Sequence, residues 1–236
     1  RGGGGSVCSG CYIHQRGGTV SNLVIRNCSQ SGKWTYGGGF YLSGVDSHMT
    51  HCVVTNCTSS SGQADGAYDH GTAGDVRAGA TLAHTLVANC RTGSSGSWHY
   101  DSTLVVGANS RISFCTVVDN VATNIAGINL LAASARFDHC LIAGNRSSRG
   151  NETPRWNVWG ALYDPSSQGR WSESYRTEEL NRVTDGFAED KVTQCASDTV
   201  AITADSILAD YPQLVKMRRG RISLPANSPA ANAVAP

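Results

Sequence analysis

Five segments within the first 146 residues repeat one spacing of apolar and cysteine side chains. The side chains fall at positions 0, 3, 5 and 8 of a nine-residue frame. The frames begin at Val20, Met49, Leu82, Ile112 and Phe137. Successive frames start 29, 33, 30 and 25 residues apart, so the pattern is constant while the connecting loops vary in length. A fixed core pattern at such a period predicts a solenoid, in which each repeat packs on its neighbours.

A shorter pattern precedes each frame. It is a triplet whose first and third residues point inward, with the alternation that a strand requires. The triplets are Cys11-Tyr12-Ile13, Phe40-Tyr41-Leu42, Leu104-Val105-Val106 and Ile128-Asn129-Leu130, and we place Asp75-Val76-Arg77 as the degenerate third copy. Position 7 of each frame carries Asn27, Asn56, Asn89, Asp119 and Gly144. These residue types tolerate positive φ, so we expect every repeat to bend at position 7.

Short strands with one sharp bend per repeat predict an all-β fold, a right-handed parallel β-helix of about five coils over residues 1–146. Helical repeats of similar period need long stretches rich in Ala, Leu, Glu and Lys. The first 150 residues instead favour Gly, Ser, Thr, Asn and Val. Residues 147–236 lack the repeat, and we expect them to form an irregular covering and closing segment.

Two short motifs resemble those of a known group. Gly37-Gly38-Gly39-Phe40-Tyr41 and the recurring V/L-x-x-N segments, such as Val24 to Asn27, resemble secreted β-helix repeat proteins related to pectate lyases. They are also similar to the repeats of chlamydial polymorphic outer-membrane proteins. The tail from Asp210 to Ala230 resembles the closing segment of bacterial surface β-helix proteins. The resemblance implies a secreted or surface protein with this fold and leaves the activity open.

Charge and hydropathy exclude two classes of partner. The formal net charge is +1, from 19 Lys and Arg against 18 Asp and Glu, so no strong field favours nucleic acid. No apolar run approaches the length of a membrane span, so we expect no membrane insertion. Because the chain opens with Arg1 and four glycines and the repeat begins almost at once, we expect that upstream coils are missing.

Most of the nine cysteines occupy frame positions that point inward. Cysteines stacked in one column have parallel Cβ directions, which do not suit a disulfide. We therefore expect free, buried thiols that act as small apolar side chains.

Three histidines share position 2, namely His51, His84 and His139. One interpretation is an imidazole ladder that binds metal or performs acid–base chemistry. The other, which we favour, is an outward strand position that tolerates any ring. Position 4 is mostly apolar although it should face outward, so we expect residues 147–236 to cover it.

Two loops share the motif SGxWxY and carry Trp34 and Tyr36 in one case, Trp98 and Tyr100 in the other. If all four rings emerge from one corner of the solenoid, they form a platform on which sugar rings stack. The alternative is that each Trp and Tyr closes its own loop against the wall of the solenoid.

An acidic segment between these loops holds the candidates for chemistry, Asp65, Asp69, His70, Asp75 and Arg77. The resemblance implies that lyases of this fold use calcium-binding carboxylates with a basic residue, and that glycosidases use paired aspartates. For calcium the candidates are Asp65, Asp69 and Asp75, and no other cofactor is indicated. The complete motif series of either enzyme group is absent from the sequence.

The sequence thus predicts an extracellular or cell-surface interaction module that contacts a polysaccharide or surface glycan. The alternative is a polysaccharide lyase or glycoside hydrolase with its groove near residues 62–101. A third hypothesis is a structural role, in which exposed coil ends stack on each other into filaments.

Overall fold

The computed structural model describes residues 6–7, 9–14, 16–32, 34–61, 68–92, 102–122, 125–132, 134–147, 158–160, 192–193, 196–197, 207–208, 216–218 and 221–223. These residues form strands, turns and bends, and no helix occurs among them. Within this part of the chain there is accordingly no helix that could span a membrane.

Four parallel sheets contain most of the strands. Sheet A consists of Cys11–His14, Phe40–Ser43, Gly74–Arg77, Ser102–Val106, Ile125–Leu130 and Val158–Gly160. Sheet B consists of Gly18–Ser21, Ser47–Thr50, Thr81–Ala83, Arg111–Ser113, Arg136–Asp138 and Val192–Thr193. Sheet C consists of Val24–Arg26, Val53–Thr55, Leu86–Ala88, Thr116–Val118, Leu141–Ala143, Ala196–Ser197 and Ile207–Leu208. Sheet D consists of Ser29–Gly32, Thr58–Ser61, Arg91–Thr92, Val121–Ala122 and Arg146–Ser147.

Two smaller sheets complete the described structure. Sheet E is parallel and consists of Ser6–Val7, Trp34–Tyr36 and Tyr68–His70. The other sheet pairs Lys216–Arg218 with Arg221–Ser223 in the antiparallel direction.

Strand pairing confirms the nine-residue frame. In sheet B, Val20 pairs with Met49, and the same column continues through the later frame starts, Leu82, Ile112 and Phe137. Position 5 forms the equivalent column in sheet C, and its members are buried: Ile25, Val54, Val87, Val117 and Ile142. Residues of successive repeats therefore stack on each other and form one continuous apolar core.

Our placement of the third triplet is wrong by one residue. Sheet A pairs Gly74, not Asp75, with Phe40, and Val76 with Leu42. A methyl group added at Gly74 would overlap the Phe40 ring, so the ring occupies the space that an inward side chain would fill. The apolar pattern could not reveal this triplet, because its first inward residue has no side chain.

Each repeat has two bends with positive φ. The five residues at position 7 have φ between 53° and 66°, as predicted. The five at position 2 also lie in the left-handed region, with φ between 46° and 56° for Asn22, His51, His84, Phe114 and His139. Our interpretation of position 2 as an ordinary outward strand position is therefore wrong, because these residues form the corner between sheets B and C.

Parallel pairing continues beyond residue 146. Val158–Gly160 pairs with a strand of sheet A, Val192–Thr193 with one of sheet B, and Ala196–Ser197 with one of sheet C. At position 4, Val24 is 60% exposed and the other four residues are half-buried. The segment expected to cover them lies mostly outside the described residues.

None of the described cysteines forms a disulfide, as their column positions predicted. They are Cys11, Cys28, Cys52, Cys57, Cys90, Cys115 and Cys140. The last five of these are buried, and they fill positions 3 and 8 on the inner side of the sheets.

Candidate functional site

The outer face of sheet A brings together several of the chemically interesting side chains. Along Phe40–Ser43 the buried Phe40 and Leu42 point inward, so Tyr41 points outward. The register places Tyr41 in a column with Tyr12, Asp75, Val105, Asn129 and Trp159. A second outward column contains His14, Ser43 and Arg77. The outer face therefore joins Asp75 and Arg77, two of the predicted site residues, to two tyrosines and a histidine.

Asp75 and Arg77 form an ion pair on this face. Arg77 Nε donates to Asp75 Oδ1 at 2.7 Å and to Oδ2 at 2.9 Å. Asp75 has no exposed surface, whereas the Arg77 side chain is 29% exposed. Burial raises the pKa of Asp75, and the neighbouring guanidinium opposes that rise. Since the carboxylate is inaccessible, its role in this geometry is to orient Arg77.

Tyr36 fixes the other side of the guanidinium. It comes from sheet E, whose strand Trp34–Tyr36 precedes the corner that leads into Phe40–Ser43. The Arg77 Cζ atom lies 5.3 Å from the centre of the Tyr36 ring, the distance of a cation–π contact. A carboxylate and an aromatic face therefore hold one partly exposed positive charge in place.

An aromatic cluster lies beside this arginine. The ring centres of Tyr12 and Tyr41 are 5.4 Å apart with an interplanar angle of 19°. His14 is 5.6 Å from Tyr12 and 6.2 Å from Tyr41. Burial and then the charge of Asp75 raise the pKa of Tyr41, so its phenol stays neutral. Tyr12 is 54% exposed, so part of this cluster is open to a ligand.

Asn129 lies two strands beyond Asp75 on the same face, with Val105 between them. It is completely buried, and within the described part of the chain neither its amide nitrogen nor its oxygen has a hydrogen-bond partner. Sequence reasoning placed Asn129 in a triplet and gave it no function. An amide at the centre of an apolar triplet is the signal that could have drawn attention to it.

The other predicted site residues are only partly located. In sheet E, Tyr68 pairs with Trp34, Asp69 with Thr35 and His70 with Tyr36. The side chains of Trp34, Asp69 and His70 are not among the described groups. Three further candidates, Asp65, Trp98 and Tyr100, lie outside the described residues. The aromatic platform of the two SGxWxY loops therefore stays a prediction.

Metal ligands do not cluster in the part of the chain that the structure describes. No group of three or more His, Cys, Asp and Glu side chains there is placed to hold an ion. Of the calcium candidates, Asp75 accepts hydrogen bonds from Arg77 with both oxygens. The face thus offers aromatic rings and an oriented guanidinium, a combination suited to binding.

Comparison with protein-family models, curated proteins and solved structures found no match for this chain.

Proposed function

We propose that the chain is a right-handed parallel β-helix that acts as an extracellular or cell-surface interaction module and binds a polysaccharide. The fold is supported by parallel sheets whose neighbouring strands come from successive repeats, and by positive-φ bends that recur at two frame positions. Such a solenoid presents long outer faces, and extended polymers suit faces of this kind.

The binding site is the outer surface of sheet A formed by Tyr12, His14, Tyr36, Tyr41 and Arg77, which we name the tyrosine–arginine face. The observation that carries the proposal is the partly exposed Arg77 guanidinium, held between Asp75 and Tyr36 next to the tyrosine pair. Aromatic rings pack on the apolar faces of sugars, and their hydroxyl groups bond to sugar oxygens. A ring cluster combined with one oriented cation suits a sugar polymer.

The positive charge of Arg77 favours an acidic polymer as the ligand. A guanidinium is planar, always charged and geometrically matched to a carboxylate. Because Asp75 and Tyr36 already hold Arg77 in place, little side-chain freedom is lost when a ligand binds. Uronate polysaccharides, which carry one carboxylate per sugar, are the class of ligand that fits this arrangement.

The test measures retention of the tag-free chain by polygalacturonate, alginate and a neutral glucan in affinity electrophoresis. We expect Arg77→Ala to weaken binding to the two acidic polymers about tenfold, the size of a lost charge-assisted contact. Arg26→Ala removes the same charge from an exposed position on sheet C and is expected to have little effect. Equal losses in both variants would show a nonspecific charge effect and contradict the proposal.

The SGxWxY loops are tested in the same assay. If they form a platform, the double variant Trp34→Ala and Trp98→Ala is retained less, because the free energy of binding weakens by about 1 kcal/mol for each lost ring. Asp69→Asn is then expected to leave retention unchanged. Full retention in the double variant would assign both rings to loop packing.

Two further measurements on the same chain discriminate the other functional hypotheses. Unsaturated, ultraviolet-absorbing ends released from a uronate polymer with calcium, and lost in Arg77→Ala, would make the protein a polysaccharide lyase. The complete burial of Asp75 argues against direct contact between this carboxylate and a substrate. Absence of both binding and product, with light scattering that grows with protein concentration, would favour the filament hypothesis.

A further inference from the structure

The corner between sheets B and C carries a continuous stack of rings. The ring centres of His51 and His84 are 4.7 Å apart at an interplanar angle of 12°. The stack continues with Phe114, 4.9 Å from His84, and with His139, 4.5 Å from Phe114. Of the three imidazoles, only His51 and His84 are direct neighbours, because Phe114 separates His84 from His139.

The backbone holds this imidazole pair at one strand spacing. The His51 amide donates to the Ala83 carbonyl at 3.3 Å, and the His84 amide donates to the Ser113 carbonyl at 3.0 Å. Each corner residue is thus bonded to the repeat that follows it. Both histidines are exposed, so solvent reaches the outer edges of both rings.

The His51 ring is oriented by the residue before it. Its Nδ1 atom lies 2.9 Å from the Thr50 hydroxyl, so Nε2 is the nitrogen that we assign to the ligand. Ala83 precedes His84, and a methyl group cannot anchor a ring. The His84 ring is held instead by stacking on His51 and Phe114, and a turn of this ring exchanges those contacts for a bond to a metal ion.

We propose that His51 and His84 together bind one divalent transition-metal ion, of the kind represented by Ni²⁺ and Zn²⁺. Imidazole nitrogens bind such ions at about 2.0–2.1 Å, so two nitrogens that share an ion lie at most about 4.2 Å apart. The lone pair of an imidazole lies in the plane of its ring, so two stacked rings direct their lone pairs side by side. To share an ion, both exposed rings turn out of the stack about their Cβ–Cγ bonds. Water or a group from a partner protein completes the coordination of the ion. Among divalent ions, the site prefers those with the highest affinity for nitrogen ligands.

Nickel binding to the tag-free chain, measured by isothermal titration calorimetry, tests this site. The variants are His51→Asn and His84→Asn, because Asn22 occupies the same corner position in the first repeat with φ 56°. Asparagine therefore preserves the corner while it removes the imidazole. We expect one Ni²⁺ per chain in the parent protein, with affinity at least about tenfold weaker in each variant.

Three matched variants sharpen the test. His48→Ala and His139→Asn are expected to bind Ni²⁺ like the parent chain, since His48 precedes the corner and His139 lies behind Phe114. Phe114→His adds a third imidazole beside His84 and is expected to tighten binding. Unchanged affinity in His84→Asn, or no Ni²⁺ binding by the parent chain, overturns the proposal.

Discussion

The interior column at position 8 has two halves with different chemistry. The first three repeats place Cys28, Cys57 and Cys90 there, and the last two place Asn120 and Asn145. Asn120 Nδ2 donates to Asn145 Oδ1 at 2.9 Å and to the Val87 carbonyl at 3.2 Å, and its Oδ1 accepts from the Cys90 amide at 2.9 Å. Each thiol makes a long contact of 3.5–3.8 Å to the carbonyl two residues before it, and neighbouring thiols also hydrogen-bond to each other.

One interior position can therefore be filled either by an apolar side chain of suitable volume or by a side chain that forms hydrogen bonds. A thiol is a small apolar side chain with weak directional bonds. A buried amide joins neighbouring repeats, and its removal leaves backbone groups without partners. The amide half should therefore tolerate substitution much less well than the thiol half.

The largest effect is expected at Val87, a position 5 residue whose carbonyl accepts a hydrogen bond from Asn120, the first residue of the amide half. Val87 is fully buried, and Val87→Asp would place a carboxylate between apolar neighbours. We expect the free energy of unfolding to fall by about 3–5 kcal/mol, as for an uncompensated buried charge. Urea denaturation measures it, with the half-buried Val121→Asp as the milder control. Equal losses would mean that the frame register is wrong.

The next effect tests the amide half directly. Asn120→Leu removes the three hydrogen bonds that the Asn120 side chain makes, to the Cys90 amide, the Val87 carbonyl and the Asn145 side-chain oxygen. We expect a loss of about 2–3 kcal/mol in the same urea assay. Asn27→Gly, at an exposed positive-φ corner, should change stability little because glycine adopts this conformation readily. A loss below that of Cys57→Ala would contradict the distinction between the halves.

We expect substitutions in the thiol half to reduce the free energy of unfolding less than those in the amide half. Cys57→Ala removes one buried sulfur that makes only weak bonds, and we expect a loss of about 1 kcal/mol. The measurement is again the free energy of unfolding in urea. A loss as large as that of Asn120→Leu would show that the thiol column is itself a strong hydrogen-bond network.

The smallest effect is a pH dependence of stability confined to the thiol half. Hydrogen bonding from Cys90 lowers the pKa of Cys57 to about 7, from an ordinary value of 9.0. The same contact raises the pKa of Cys90 well above 9.0. Between pH 7 and pH 9 the unfolded chain therefore holds more protons than the native one, so stability rises with pH, and above pH 9 it falls. Cys57→Ala should abolish the rise, and an unchanged pH profile would refute the coupling.

The repeating core was predictable because side-chain polarity carries its period. Positions 0 and 5 had to be apolar and position 7 had to tolerate positive φ, so composition at those positions indicated the structure. Position 2 was harder to recognise: asparagine and histidine are among the residue types enriched at positive φ, but phenylalanine rarely adopts this conformation. In this conformation the rings of successive repeats stack on each other, and this contact can be recognised only once the strand pairing is known.

The site was predictable only in part. Asp75 and Arg77 were chosen for their residue types, and the structure does bring them together. Tyr12 and Tyr41 appeared in the triplets as outward residues without a role, because their proximity to Arg77 depends on register. The strands after residue 146 could not be recognised from the repeat spacing, because long connections separate paired residues such as Ile142 and Ser197 in the sequence.

The contact between Phe40 and Gly74 limits how such a chain can grow by duplication of its repeats. Phe40 leans into the space above Gly74, so the volume of one interior layer is divided unequally between two repeats. A copy of the second repeat inserted beside itself would set two phenylalanine rings in register where one ring and a hydrogen atom now fit. One of the rings would need another rotamer, so these two repeats fit each other as a matched pair and not as interchangeable copies.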